Sequence, residues 1–491
     1  MKHELRQGTT MKSDSSRQPL LCYYGDDFTG STDVLEALSA AGLQTVLFLE
    51  PPDEERIRER FPHADCIGVA GVSRSMTPQE MEAELDPIFR KLKALGPRFV
   101  HYKVCSTFDS SPEVGSIGRA IEIGTAVFGA GRYVPLIVGV PLLGRYTLFG
   151  HHFAAASGGV NEVFRLDRHP TMARHPVTPM EEADLRLHLG RQTQLTAASM
   201  DIRALGGAFP EVERRLDALL QHSPGVVLYD VLDESRLAAA GRLIWEEAGR
   251  TGGGPLFAAG SSGIEYALTA YLRESGQLQA SSPPGSAGGL GRAEPLLVVS
   301  GSCSPVTAAQ ISRAMASGFT GIRVPVPALC GPDGGLKAAR SLLAASLACL
   351  REGRSVVLYT AAGPGDPAVQ EAQELAASLG IAPQEWSRLL GGRLGALARE
   401  LILAAGLKRI VIAGGDTSGY VTRGLGIHAL EWLAATAPGA PVCRAHSQDA
   451  RLDGLQLVLK GGQMGGEDFL AEVLQGGRLE HSGQLGQEER P

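Results

Sequence analysis

One local arrangement recurs along this chain: a short apolar strand, a turn rich in Gly, Ser and Asp, and then a helix. Strands separated by helices pair in parallel, and their helices lie on the faces of the sheet. The clearest copy is residues 20–38, LLCYYGDDFTGSTDVLEAL. An apolar strand runs into Gly25, Asp26, Asp27, Phe28, Thr29 and Gly30, and Val34, Leu35 and Leu38 then share one helical face. Open α/β sheets bind ligands beyond the carboxyl ends of their strands, where this turn falls.

The pattern predicts strands at 20–24, 45–49, 66–72, 99–105, 136–140, 226–231 and 256–259. A Ser/Pro/Gly-rich stretch, 281–293, reads as a linker. The alternation then resumes at 296–299, 322–324, 356–359, 409–413 and 455–459. The expected fold is α/β, with two domains, each a mostly parallel sheet flanked by helices. Their bounds are 19–280 and 294–475, with polar, disordered ends at 1–18 and 476–491. A chain of 491 residues is too long for one ordinary core and fits this division.

Charge and motifs narrow the function. A net charge of −7 argues against a nucleic-acid groove, and no apolar run reaches the roughly 18 residues that cross a bilayer. The seven cysteines form no CxxC pair, which fits small buried hydrophobes in a reducing cytoplasm. HExxH, GxSxG, GxGxxG and the Walker-type GxxxxGK[ST] are all missing, so zinc protease, α/β-hydrolase, standard dinucleotide and P-loop chemistry are not first choices.

The N-terminal half carries polar groups suited to a small hydroxylated acid. Asp26 and Asp27 either aim a carboxylate at a substrate hydroxyl or, with Thr29 and Ser31, cap the next helix. Arg74, after the strand 66–72, is a bidentate clamp for a carboxylate or a solvated surface residue. Lys103 lies among apolar neighbours and needs an anion, from substrate or protein. Ser106 and Asp109 offer hydrogen bonds to hydroxyls, Arg145 a second positive charge, and His151 or His152 an acid or base. In the C-terminal half three glycine-rich turns follow strands. They hold Ser300 and Ser302, then Gly414, Gly415, Asp416 and Thr417, then Gly461 and Gly462. Each opens a helix, the second running through Leu430. Helix N-termini and close backbone approach suit phosphate, so a nucleotide pocket is expected here, with Asp416 on a ribose hydroxyl, a magnesium-bound water or its own turn.

Taken in order, GDDFTGSTD, SRS, YKVCSTFDSS, GRYTLFGHHF, HPVTPM, SGSCS, GGDTSG and LKGG resemble the four-carbon acid sugar kinase family, over about residues 20–475. The stretch 240–293 reads as an insertion relative to that family. The resemblance implies an acid-sugar domain followed by a nucleotide domain. It places Asp27, Arg74 and Lys103 in the acid-sugar site, and Ser302, Gly414, Gly415, Asp416, Thr417 and Gly462 in the ATP site. YKVCSTFDSS is more similar to the branch acting on 3-oxo-tetronates, with 3-oxo-isoapionate or a tetronate as alternative acceptors. The expected activity is ATP-dependent phosphorylation of a terminal hydroxyl, with Mg²⁺ on the phosphates and no protein-held metal site. Asp27 and Lys103 are the expected catalytic residues, and Asp26, Arg74, Ser106, Asp109 and Arg145 the expected substrate contacts. Closure across 281–293 would bring the ligands together. The alternatives are a non-catalytic acid-sugar sensor and a dinucleotide-dependent oxidoreductase. The expected partner is a small acid sugar, with no nucleic acid or membrane, and a homodimer is the candidate assembly.

Overall fold

Apolar strands such as Leu21–Gly25, Cys66–Ala70 and Arg409–Ala413 are buried along their whole length, as strands covered on both faces must be. In the computed structural model, which describes residues 18–129, 131–156, 162–175, 177–279, 290–331, 335–437 and 439–476, they belong to one fifteen-stranded sheet. Nearly all of the expected extension 1–18, the linker segment 281–289 and the tail 477–491 lie outside the described residues.

In the N-terminal half the strand order is Thr45–Phe48, Cys66–Ala70, Leu21–Gly25, Phe99–Lys103, Leu256–Gly260, Val134–Ile137, Val226–Tyr229 and Ala197–Met200, all parallel. The chain leaves Leu21–Gly25 toward one edge and returns to the other side at Phe99–Lys103. The order therefore reverses beside the Asp26–Asp27 turn. Leu256–Gly260 pairs with both Phe99–Lys103 and Val134–Ile137. This corrects the reading of 240–293 as an insertion: part of it is a central strand, which an added surface loop could not supply. A separate three-stranded antiparallel sheet, Arg145–Leu148, His151–Ala155 and Val163–Arg165, was not expected from the sequence.

The C-terminal half orders Thr320–Arg323, Val356–Tyr359, Leu297–Ser300, Arg409–Ala413 and Gln456–Lys460 in parallel, reversing between Leu297–Ser300 and Arg409–Ala413. The helix after the 414–419 turn is Gly415–Gly424 and does not reach Leu430. Gly426, with φ +78°, breaks it, and the strand Ile427–Ala437 begins at once. That strand and Ala440–Ser447 form an antiparallel hairpin. Its first strand pairs with Thr45–Phe48 in the register Ala429↔Phe48, Leu430↔Leu47 and Glu431↔Val46. The two parallel sheets are thus one hydrogen-bonded surface, and any closure must flex this seam as well as the linker.

Three antiparallel junctions leave the C-terminal strands net reversed against the N-terminal ones. Six strand-to-strand steps separate Leu21–Gly25 from Arg409–Ala413. At about 25° of twist per step the strand direction turns by about 150°, which nearly cancels the reversal. Twist thereby turns the carboxyl ends of both halves toward one cleft.

A pH-dependent contact joins the helix Phe28–Ala40 to the turn of the hairpin that makes the seam. Glu36, on the helix Phe28–Ala40, accepts a hydrogen bond from the Gly439 backbone. Burial, and then Asp33, push its carboxyl up to about 8. Between its ordinary range and 8 the folded chain holds a proton that the unfolded chain has lost, so this group's contribution to stability falls as pH rises through that window. In thermal melts from pH 5 to 9, the stability of Glu36→Gln relative to wild type should climb with pH and level off above 8. A constant difference would contradict this.

Candidate active site

Asp27 is the N-cap of Phe28–Ala40: its Oδ1 accepts from Gly30 N–H at 2.7 Å. Its Oδ2 accepts from Arg74 Nη1 at 2.8 Å, and the side chain still faces the cleft, 27% exposed. Asp26 is buried and takes the rest of the Arg74 fork, with Nε to Oδ2 at 3.1 Å and Nη2 to Oδ1 at 2.7 Å. The Arg74 backbone N–H also donates to the Asp26 carbonyl at 3.0 Å. Burial pushes the Asp26 carboxyl up, with the Arg74 guanidinium the main opposing influence. Burial also works against the Arg74 charge, yet Asp26 and Asp27 hold it firmly protonated. The turn carrying Arg74 is pinned from behind: Ser73 Oγ and Tyr102 OH are 3.0 Å apart, and Tyr102 stacks on Tyr24. The capping reading of the acid pair holds at Asp27, whose side chain also stays open to the cleft.

Lys103 finds its anion within the protein. It is 1% exposed, with Nζ 3.4 Å from Asp33 Oδ2 and donating to the Val104 carbonyl at 3.0 Å. A methyl carbon on Gly30 would sit 2.5 Å from Asp27 Oδ1, 3.1 Å from Lys103 Nζ and 3.7 Å from Arg74 Nη2, so glycine is required where the three side chains meet. Ser106, Asp109 and Arg145 form a second cluster farther along the strand end. His152 Nε2 lies 2.8 Å from the Ser106 carbonyl, and Arg145 Nη1 donates to the Leu143 carbonyl at 2.9 Å. Asp109 Oδ1 and Arg145 Nε are buried without partners. The Cys105 thiol, pushed up to about 11 by burial and then by Asp109, also feels Arg74 and Asp27 and so links the two clusters. His152 is pushed down to about 4 by burial, so it is neutral near pH 7.

The three glycine-rich turns converge at adjacent strand ends. Gly301 N–H donates to the Ala413 carbonyl at 3.1 Å, and Gly414 N–H to the Lys460 carbonyl at 2.9 Å. A methyl carbon on Gly301 would lie 2.2 Å from Thr417 Oγ1, and one on Gly462 2.8 Å from Ser302 Oγ. Gly414, at φ +125°, occupies a conformation that side chains rarely adopt. Ser300 Oγ is buried without a partner, and Ser304 caps the helix Pro305–Ala316. Helix N-termini and glycine-only close contacts suit a phosphate chain. The cavity here is about 400 Å³, walled by Gly301, Ser302, Gly414, Thr417 and Gly462 on one side and by Trp386, Leu390 and Leu394 of the helix Pro383–Ala405 on the other.

A second cavity, about 140 Å³, holds Asp26, Asp27, Phe28, Arg74, Tyr420 and Arg423. The two share Ser387, Gly415 and Asp416 as a common wall. Asp416 is open to the cleft, yet crowding by its walls, and then Asp27, push its carboxyl up. It therefore stands at the junction of the cavities, within electrostatic range of Asp27. Lys103, Ser106, Asp109 and Arg145 line neither cavity, and the lining does not include Ser300 or Gly461. Two struts cross the cleft: Gln384 Nε2 to the Ser75 carbonyl at 2.6 Å, and Arg423 Nη2 to the Ala70 and Leu49 carbonyls at 2.8 and 3.1 Å. Sequence reasoning missed Gln384, Ser387, Tyr420 and Arg423. One available signal was the glycine spacing in 391–395, where Gly391 packs on Tyr420 and Gly395 on Gly424.

Comparison with known proteins agrees with this division. A sugar-binding N-terminal domain model matches residues 21–268, and a nucleotide-binding C-terminal domain model matches 297–470. The chain belongs to the four-carbon acid sugar kinase family. It is 49% identical over 458 residues to a 3-oxo-isoapionate kinase of Paraburkholderia graminis, covering 93% of this chain and 94% of that one. It is 31% identical over 457 residues to a 3-oxo-tetronate kinase of Methylobacterium radiotolerans, covering 91% and 97%. Crystal structures of a Salmonella typhimurium LT2 protein (TM-score 0.73, 24% identity, covering 93% of this chain and 99% of that one) and a Haemophilus influenzae protein (0.68, 23%, 92% and 98%) share the fold. Among the described residues no helix is long and apolar enough to cross a membrane, and no group of three or more His, Cys, Asp or Glu side chains could hold a metal ion.

The Asp26–Arg74 fork sets a stability test. Asp26→Asn leaves the half-buried Arg74 guanidinium with Asp27 as its remaining carboxylate and should cost about 2 kcal/mol in denaturant unfolding, whereas adding Arg74→Met should recover part of the loss. Additive losses would show that the fork is not a coupled pair.

Proposed function

We propose that this chain is an ATP-dependent kinase that phosphorylates the terminal hydroxyl of a small 3-oxo acid sugar. The reading gives 3-oxo-isoapionate as the first acceptor and 3-oxo-tetronates as the second. The observation that carries it is the wall shared by the glycine-lined cavity and the Asp27–Arg74 cavity. A donor in one and an acceptor in the other would be separated by the wall of Ser387, Gly415 and Asp416. The names of the relatives at 49% and 31% identity support the acceptor class.

Phosphoryl transfer depends mainly on positioning and charge neutralisation. The helices Phe28–Ala40 and Gly415–Gly424 meet at their N-termini: a methyl carbon on Gly415 would be 3.5 Å from Thr29 Oγ1, and one on Gly419 3.0 Å from Phe28 Cβ. Their converging positive ends favour negative charge between them. Asp27 orients the acceptor hydroxyl and takes its proton as that oxygen bonds the γ-phosphorus and the bond from phosphorus to the β–γ bridging oxygen breaks, releasing ADP. Asp26 holds Arg74, and Arg74 holds Asp27, so the acceptor carboxylate meets a fixed frame. Lys103, braced by Asp33, places positive charge beneath Asp27. Ser106, Asp109 and Arg145 lie behind the acceptor cavity, linked to Asp27 and Arg74 through Cys105, and support its wall. Ser302, Gly414, Thr417 and Gly462 receive the nucleotide's phosphates. Mg²⁺ arriving with the nucleotide would supply neutralisation of phosphate charge, and Asp416 could hold one of its waters. The free cysteines among the described residues fit a reducing cytoplasm as the compartment.

Coupled ADP release with Mg-ATP and a panel of 3-oxo-isoapionate, 3-oxo-tetronates and tetronates tests the reading. Turnover is expected with a 3-oxo acid, and ATP binding without turnover on any member would refute it. Asp27→Asn should lower kcat by at least about 100-fold and leave the ATP-induced rise in melting temperature unchanged. Equal loss of turnover and of ATP binding would rule out the role assigned to Asp27.

A further inference from the structure

Lys460 ends the strand Gln456–Lys460 and is 2% exposed. Its Nζ donates to Thr307 Oγ1 at 3.0 Å, and no described carboxylate lies within 4 Å of it. The Phe469 ring centroid is 5.9 Å away. Burial pushes the ammonium down to about 8, the expected response of a desolvated cation without an anion. By contrast, Lys103, the buried lysine of the N-terminal half, is paired with Asp33.

The surroundings of Lys460 are the nucleotide cradle. Thr307, in the first turn of Pro305–Ala316, donates to the Gly462 carbonyl at 2.8 Å, and Gly462 lines the cavity. The Lys460 carbonyl anchors Gly414 N–H, and Ser302 abuts Gly462. All three glycine-rich turns are therefore connected to Lys460 directly or through one residue. The cavity lining itself carries one charged side chain, Asp416, which is negative. A triphosphate placed there lacks a cation, and the ammonium behind the wall lacks an anion. Each deficit is costly alone.

We propose that Lys460 is the counter-charge for the nucleotide's phosphates, acting through Thr307 and the turn at Gly461 and Gly462. The assignment rests on the kinase reading. Lys460 acts as a positioning and electrostatic residue, and the acceptor site does not involve it. A residue kept for this purpose destabilises the empty protein, because its charge is buried for a ligand that has not arrived.

Lys460→Met and Lys460→Arg in the full chain test this, by melting temperature without ligand and by calorimetric binding of ATP and of adenosine. Lys460→Met should melt higher than wild type, bind ATP about 30-fold more weakly and bind adenosine as before, and Lys460→Arg should regain most of the ATP affinity. Unchanged ATP affinity, or equal weakening of ATP and adenosine, would overturn the assignment. A Lys460→Met chain that melts below wild type would mark the lysine as structural support and overturn it too. Wild-type protein that binds ATP but releases no ADP with any acid would refute the kinase reading and leave Lys460 standing. Wild-type turnover with full ATP affinity in Lys460→Met would do the reverse. Wild-type protein that does not bind ATP would refute both.

Discussion

The antiparallel seam between Thr45–Phe48 and Ile427–Ala437 is the constraint on which the rest of the molecule depends. Two parallel α/β sheets joined only by a linker would leave their ligand-binding edges unrelated. Backbone pairing across the seam fixes their relation. The Leu49 N–H to His428 carbonyl bond, at 3.0 Å, extends the pairing one residue beyond the register. Sheet twist then turns the two reversal points of strand order toward a common cleft. Struts from Gln384 and Arg423 close the remaining distance. The shared wall of Ser387, Gly415 and Asp416 is a consequence of that geometry.

Charge is distributed unevenly across the cleft. On the acceptor side most cations are already matched: Arg74 by Asp26 and Asp27, and Lys103 by Asp33. Such a network holds Asp27 in one orientation at the price of burying Asp26. On the donor side Lys460 is unmatched and the cavity lining is anionic at Asp416. The asymmetry suits a reaction in which one ligand is held by hydrogen bonds in a rigid frame and the other brings its own dense negative charge. It also explains why removing one partner on the acceptor side should unfold the protein more readily, whereas removing Lys460 should not.

Much of this was legible in the sequence because the requirements are local. The turns at Gly25, Asp26 and Asp27 and at 414–419 need glycine and acid residues within a few positions of a strand end, and they were read directly. The need of Lys103 for an anion was also legible, since burial of a lone charge is costly wherever it occurs. Which carboxylate would answer was not: Asp33 meets it from the following helix, and Asp26 meets Arg74 from another strand. The seam was hidden for a related reason. Residues 427–437, IHALEWLAATA, have a composition that serves a helix as well as a strand, and their partner Thr45–Phe48 lies in the other half of the chain. Tertiary pairing overrode local propensity there. The stretch read as an insertion contained Leu256–Gly260, whose central place depends on strand order and not on composition.

The most direct test of the account is a crystal structure with ADP and the phosphorylated acid bound together. The account predicts ADP phosphates against Gly414, Thr417 and Gly462, and the product phosphate between Asp27 and the Gly415–Asp416 wall. A nucleotide seated elsewhere, or an acid whose phosphate lies away from Asp27, would contradict the claim that the two cavities are the halves of one transfer site.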